Sequence, residues 1–225
     1  MNNVLSAKGV TKLFADGSRD IQILNELDFD LLPGEKVAII GASGSGKTTL
    51  MQILAGIDRP TSGRVELFGR DLSDYDDYSL SKIRNNDMGF IYQAYHLLPE
   101  FTVLENVALP LMIGGTKTRE AKDRALRILK EVDIADRANF LPYKLSGGEK
   151  QRTAIARALI INPKVIFADE PTGNLDYNAA TMVINQLLNL VLDHHTSLIM
   201  VTHNKKVAEK MDKILLLKNG ILEQQ

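Results

Sequence analysis

The stretch "GASGSGKTT", Gly41 to Thr49, follows the apolar run "EKVAII" and opens directly into "KTTLMQILAG". Gly41, Gly46, Lys47 and Thr48 fit the spacing G-x-x-x-x-G-K-[ST], and the flanks supply the strand and the helix that give that spacing meaning. A glycine turn joining a buried strand to a helix leaves little freedom in how the surrounding chain folds. In such a loop, here Gly41, Ser43, Gly44, Ser45 and Gly46, backbone N–H groups converge on phosphate oxygens while the helix N-terminus adds partial positive charge. Lys47 is expected to reach the β and γ phosphates of a nucleotide and Thr48 to offer its hydroxyl to Mg2+. Thr49 continues the helix and touches phosphate at most through its own side chain or amide. The plainer alternative is a glycine turn with an incidental lysine.

The rest of the chain extends the same pattern. "KVIFADEP" from Lys164 and "SLIMVTH" from Ser197 are compact apolar runs ending in polar residues, as for central parallel strands covered on both faces. Between them, Asn178 to Val191 has Met182, Val183, Leu187, Leu190 and Val191 at helical spacing, the crossover that parallel strands need. "MGFIYQ" predicts a strand ending at Gln93, and "RPTSGRVELFGRDL" from Arg59 predicts antiparallel hairpins. Ala121, Ala125, Ile128, Leu129 and Val132 recur every three or four residues. An inserted helical subdomain is therefore expected at 94–155. "KILLLKNGIL" predicts a hairpin at Asn219-Gly220. With no internal repeat and no Pro, Gly or Ser linker, residues 1–225 read as one α/β domain. Its nucleotide-binding core is 1–93 with 156–225, a mostly parallel central sheet with an antiparallel β side sheet.

Composition narrows the functions. The 225 residues carry a formal net charge of −1, with cations scattered along the chain, so nucleic acid is not expected as a partner. The absence of cysteine removes disulfides and thiolate chemistry and suits a reducing compartment. The start, "MNNVLSAKGVTKLF", lacks a cationic region followed by an apolar stretch, so no secretory signal is expected. "HLLPEFTVLENVALPLMIGG" is cut by Pro99, Glu100, Glu105 and Pro110, short of the ~20 apolar residues of a spanning helix. Work at a membrane would require docking.

Asp169 ends a buried strand, where an ionised carboxylate is costly unless it meets a cation or donors. A Mg2+ hydration shell would satisfy it. Glu170, one residue on, is placed to accept a proton from a water attacking the γ phosphate, or else serves as a capping or salt-bridge glutamate. "KLSGGEKQR" from Lys144 supplies a second glycine pair about a hundred residues after the first. Ser146 and Glu149 form S-x-x-E, a capping box that needs no ligand, yet the N–H groups of Gly147 and Gly148 also suit a phosphate.

These motifs, in the order Gly41–Thr49, Gln93, Leu145–Glu149, Val165–Glu170, Gly173–Asp176 and His203, resemble the ATP-binding-cassette family over almost the whole chain. The resemblance implies a P-loop ATPase that binds ATP and Mg2+ and pairs head to tail as a homodimer. Ser146, Gly147 and Gly148 of one copy would cap ATP held by the other. It implies that Gln93 senses γ phosphate and Mg2+, with Thr48 and Asp169 as further metal contacts, that His203 holds γ phosphate and Glu170 in register, and that Asp176 mediates cross-subunit contact. The resemblance thus implies Lys47, Gln93, Glu170 and His203 as the catalytic set. By themselves His203 would read as a core histidine and Gln93 as a surface glutamine; His96, His194 and His195 have no metal-ligand spacing. In two places the sequence departs from the family pattern. Phe14 stands where many members stack a tyrosine on adenine, with a core phenylalanine as the alternative, and Glu149 replaces a frequent glutamine.

Within the family, the wording of "GFIYQAYHLLPEFTVLENVALPLMIGG" and "ADEPTGNLD" is most similar to the lipoprotein-releasing branch, itself related to macrolide-export and cell-division cassettes. That implies two integral membrane subunits docking near residues 97–113 and a peripheral position on the cytoplasmic face of a bacterial inner membrane. Most apolar residues of 97–113 could equally be core of the helical insert. A soluble cassette acting on DNA or ribosomes, and a small-molecule P-loop kinase, are the competing readings. The first would favour a basic stripe or a coiled-coil insertion, and the second leaves "LSGGE" without a purpose.

Overall fold

The N-terminal segment is read poorly by local pattern yet folds into the longest strands. In the computed structural model, which describes residues 3–17 and 19–225, β1 (Leu5–Asp16) pairs antiparallel with β2 (Arg19–Leu31), Leu5 facing Leu31 and Phe14 facing Ile21. Met1, Asn2 and Ser18 lie outside the described residues. Leu27, Phe29 and Leu31 alternate inward, the period-two signature of a half-buried strand. β3 (Lys36–Ile40) buries Val37, Ala38 and Ile39 and runs into α1 (Lys47–Leu54), whose buried face is Leu50, Met51, Ile53 and Leu54. β4 (Ser62–Leu67) and β5 (Arg70–Asp71) complete an antiparallel side sheet in the order β2-β1-β4-β5, the hairpins expected around Arg59. α2 (Asp77–Asp87) follows, with the Asp76 carboxylate accepting from the N–H of Ser79 at 2.7 Å. Sequence periodicity missed this helix because only Leu80 of it is buried.

The chain divides into two compact units, Met1–Ser81 with Ser197–Gln225, and Lys82–Thr196. The second unit holds β6 (Met88–Tyr92), α3 (Val103–Ile113), α4 (Thr118–Glu131), α5 (Gly147–Leu159), β7 (Val165–Asp169) and α6 (Tyr177–Asp193). α3 packs on α4 and α5, and α5 also packs on β6 and α6. β6 runs parallel to β7 with Tyr92 opposite Asp169, so the residues that follow, Gln93 and Glu170, leave adjacent strand ends. This unit therefore contains two strands as well as the helices that fall within 94–155, and α5 continues to Leu159.

The chain returns to the first unit with β8 (Ser197–Val201), α7 (Lys205–Ala208), β9 (Lys213–Lys218) and β10 (Ile221–Gln224). β8 is buried throughout and, with β9, flanks β3 in parallel. Such two-sided burial explains why these strands read as unbroken apolar runs. β9 turns into β10 through Asn219 and Gly220, both with positive φ (50° and 80°), the two-residue hairpin that the Asn-Gly pair predicts.

Candidate nucleotide-binding site

The first unit carries the phosphate loop at the carboxyl end of β3. Gly46 has φ of 97°, and a Cβ there would lie 2.6 Å from Ile23 Cγ2, so only glycine lets the loop turn into α1 at this point. Gly41 is as crowded, its missing Cβ 2.6 Å from the carbonyl of Leu217. Lys47 Nζ donates to the carbonyls of Gly41 (3.0 Å) and Ala42 (2.7 Å), holding the ammonium over the mouth of the loop. Ser45 Oγ is buried with no hydrogen-bond partner, an orphan of the kind that a bound oxyanion or water satisfies. Ser43, Gly44 and Ser45 line a cavity of about 680 Å³ together with Ile23 and the β9–β10 turn. Thr48 is exposed and Thr49 half-buried in the first turn of α1. Phe14 is 44% exposed on β1 with Lys12 Nζ 5.0 Å from its ring centre, which removes the core alternative for that residue. His203 follows β8 and is exposed, so it is no core histidine.

The second unit assembles the other residues at the ends of β6 and β7. Asp169 closes β7, and Glu170 adopts φ of 45°, a left-handed conformation that costs an L-residue ~1–2 kcal/mol and breaks the extended backbone of the strand. The turn closes when Gly173 N donates to Glu170 O at 3.0 Å. Asn174 then meets Gln93: its Nδ2 donates to the Gln93 carbonyl at 2.8 Å, and Gln93 Nε2 donates to Asn174 Oδ1 at 3.2 Å. Asp176 caps α6, accepting from the N–H groups of Asn178 and Ala179 at 3.0 Å each.

The capping-box alternative at the "LSGGE" segment is realised. Ser146 Oγ accepts from Glu149 N at 3.3 Å and donates to Glu149 Oε2 at 2.8 Å, while Ser146 N donates to the same carboxylate. The Ser146 hydroxyl proton is thus committed within the chain, and the first-turn amides of Gly147 and Gly148 remain without an intrahelical acceptor. Arg137 Nε donates to Glu149 Oε1 at 2.8 Å, and this pairing, with the Ser146 amide, lowers the Glu149 carboxyl to about 2. The replacement of a glutamine by Glu149 therefore adds an ion pair to the cap. Gly147 is tightly enclosed: a Cβ there would sit 3.1 Å from Leu175 Cδ2 and 3.3 Å from the Tyr95 hydroxyl, so both side chains would have to give by a few tenths of an ångström.

Two supporting residues escaped sequence reading. Arg157 on α5 donates from Nη2 to Tyr95 O at 2.7 Å and from Nη1 to His96 O, pinning the segment just after Gln93. Asn106 on α3 is fully buried and clamps the preceding loop, accepting from Leu98 N (2.7 Å) and donating to the carbonyls of Leu98, Phe101 and Thr102. Leu98 and Phe101, held by this clamp, are exposed, as are Met112 and Ile113 at the end of α3, whereas Val103, Val107 and Leu111 turn inward as core. Nothing in the local pattern distinguishes a buried asparagine from a surface one on an otherwise apolar helix.

A phosphate loop, a strand-end Asp169-Glu170 pair and a glycine signature on a capped helix define a cassette-type ATPase. The ABC transporter family matches residues 24–173, and the chain belongs to that family as an ATP-hydrolysing cassette. It is 45% identical over 224 residues to the lipoprotein-releasing system ATP-binding protein LolD of Wigglesworthia glossinidia brevipalpis, with 99% of this chain and 98% of that protein aligned. It is 46% identical over 220 residues to the LolD of Shewanella sp. strain MR-4, covering 98% and 95%. Among solved structures it is similar to the post-hydrolysis dimer of the ATP-binding cassette MJ0796 bound to ADP and Pi, with a TM-score of 0.90, 38% identity and coverage of 98% and 97%.

Taken unit by unit, the residues have the chemistry that parts of a magnesium nucleotide require. In the first unit the glycine cradle and the orphaned Ser45 hydroxyl suit phosphate and the Thr48 hydroxyl is a hard oxygen donor; in the second unit the Gln93 side-chain carbonyl and the Asp169 carboxylate are oxygen donors of the same kind. No cluster of three or more His, Cys, Asp or Glu that could hold a metal occurs among the described residues, and Mg2+ at nucleotide sites needs few carboxylates because phosphates and waters complete its shell. No helix among the described residues is long and apolar enough to cross a membrane.

Proposed function

We propose that this chain is the ATPase subunit of a lipoprotein-releasing transporter, working as a head-to-tail homodimer on the cytoplasmic face of a bacterial inner membrane and docked to two membrane subunits. The observation that carries the reading is the 42–46% identity to lipoprotein-releasing ATP-binding proteins along nearly the whole chain. Lys47 and the loop amides from Gly41 to Gly46, with Thr49 at the margin, hold the phosphates of ATP. Thr48, Gln93 and Asp169 hold Mg2+, which when bound neutralises phosphate charge. Phe14 stacks on the adenine.

Glu170 accepts the proton of the attacking water, and His203 keeps that carboxylate aligned with the γ phosphate. Gly147 and Gly148 of the second copy donate backbone N–H groups to the same phosphate, with Ser146 fixing the helix end that presents them. Closing the pair therefore depends on ATP, and differential affinity for the closed state drives the membrane subunits through the Leu98–Phe101 surface.

The test is reconstitution. The chain and its copurifying membrane subunits are placed in proteoliposomes loaded with an acylated lipoprotein, and release is followed with ATP. Glu170→Gln should still bind ATP, accumulate as a dimer and release nothing. ATP-dependent release by that variant would refute the proton-acceptor role, and a complex that hydrolyses ATP without mobilising lipoprotein would refute the cargo.

A further inference from the structure

We infer that Asn174 is a positioning residue for Gln93, deciding which atom of the glutamine amide faces an incoming cation. The inference rests on the reading of Gln93 as an oxygen contact to Mg2+. The two residues meet across 81 positions of sequence in a reciprocal pair, one bond between the side chains and one from the Asn174 side chain to the Gln93 main chain. The main-chain carbonyl of Gln93 can only accept, so the Asn174 atom 2.8 Å from it must be the amide nitrogen. That choice turns Asn174 Oδ1 toward the Gln93 side chain, where it too can only accept, and Gln93 must answer with Nε2. Turning either amide over would set N–H₂ against N–H₂ or oxygen against oxygen. Gln93 Oε1 is thereby left pointing away from Asn174, as the one side-chain atom of the pair free to meet a hard cation or its water.

Gly173 completes the seat. A Cβ on residue 173 would fall 2.7 Å from Gln93 Nε2 and 2.9 Å from its Cδ, so the side chain of Gln93 occupies the room that any other residue would need. Both Gln93 and Asn174 are exposed, and without the pair the Gln93 amide would rotate freely in water. The turn that carries Gly173 and Asn174 is closed by the hydrogen bond to Glu170 O, so the seat is fixed to the same strand end as Asp169 and Glu170.

The experiment measures binding of a non-hydrolysable ATP analogue to the full chain by calorimetry, once with Mg2+ and once with EDTA. The readout is the ratio of the two dissociation constants. Asn174→Ala is expected to cut the Mg2+-dependent gain about fivefold, the value of one net hydrogen bond, while the EDTA affinity stays within about twofold. Gly173→Ala, which displaces the Gln93 side chain by steric contact, should do the same. In a Gln93→Ala background Asn174→Ala should have no further effect.

If Gln93→Ala lowers the gain but Asn174→Ala and Gly173→Ala do not, the positioning role is wrong and the Gln93 reading stands. If Gln93→Ala leaves the gain intact, Gln93 makes no metal contact and both fall. A loss of EDTA affinity in Asn174→Ala would make that residue a general support of the fold and would equally overturn the inference.

Discussion

The guanidinium of Arg157 donates a 2.7 Å hydrogen bond to the carbonyl of Tyr95, and its other terminal nitrogen bonds the next carbonyl, that of His96. Tyr95 and His96 both sit at positive φ, 61° and 47°, a backbone conformation that bulky L-residues avoid. The planar fork serves the two carbonyls from two nitrogens at a fixed spacing, whereas a lysine would have to reach both from one nitrogen. Burial lowers the proton affinity of Arg157, and the nearby Tyr92 partly offsets that. Arg157→Lys is therefore expected to cost about 1–2 kcal/mol of stability and Arg157→Ala more, measured by denaturant unfolding. In steady-state kinetics kcat should fall while ATP affinity holds, with Lys recovering part of the Ala defect. Equal kcat in all three proteins would reduce Arg157 to packing.

Asn106 supports the surface proposed for docking. Asn106→Ala strands the Leu98 amide and takes the side-chain donor from three carbonyls, of which those of Leu98 and Thr102 keep a backbone donor, and should destabilise the chain by about 1–3 kcal/mol. Hydrogen exchange at Leu98 should speed up selectively. Unaltered protection there would mean that the loop is held by something else.

Phe101 tests the docking surface itself, because it is 41% exposed and its removal leaves no cavity. Phe101→Ala is expected to keep the basal hydrolysis of the isolated chain and lose its stimulation by the membrane subunits. Full stimulation would exclude this residue from the contact.

Lys47 spans the mouth of the phosphate loop through two carbonyl contacts. Lys47→Ala should weaken ATP binding by about 10- to 100-fold, the loss of a charge-assisted hydrogen bond. Undiminished affinity in equilibrium dialysis would argue against this loop as the phosphate site.

The Glu149 carboxyl is predicted to titrate near 2, with Arg137 as the main cause and the Ser146 amide next. A folded-state value below the ordinary 4.5 means that the contribution is fully present above about 4.5 and disappears as pH falls through about 2. Carbon-13 NMR titration of Glu149 checks this, and Arg137→Ala should move its midpoint upward. A midpoint near 4.5 in the unaltered chain would show that the ion pair is not formed in solution.

How far the sequence carries depends on whether a feature is local. The phosphate loop, the buried runs of β3, β7 and β8 and the Asn219-Gly220 hairpin each announce themselves within ten residues, since strand burial and turn chemistry act over that range. The antiparallel fold of β1 on β2 does not, because register irregularities between Ala7 and Leu13 break the alternation that would reveal it. α2 hides for want of a buried face. At the site, Lys47, Asp169 and Glu170 were legible as types at fixed spacing. Asn174 seating Gln93, Arg157 gripping Tyr95 and Arg137 holding Glu149 were not, since each partner lies 12 to 81 positions away and only the folded backbone brings them together.

The cap made by Ser146 and Glu149 stands complete in a single free copy. On the proposed head-to-tail pairing, the Gly147 and Gly148 amides would meet a neighbour's nucleotide from a helix end already capped within its own chain, so little ordering entropy would remain to be lost there when two copies meet. Association should then resemble the fitting of finished parts more than folding upon contact, with its rate set by collision and orientation.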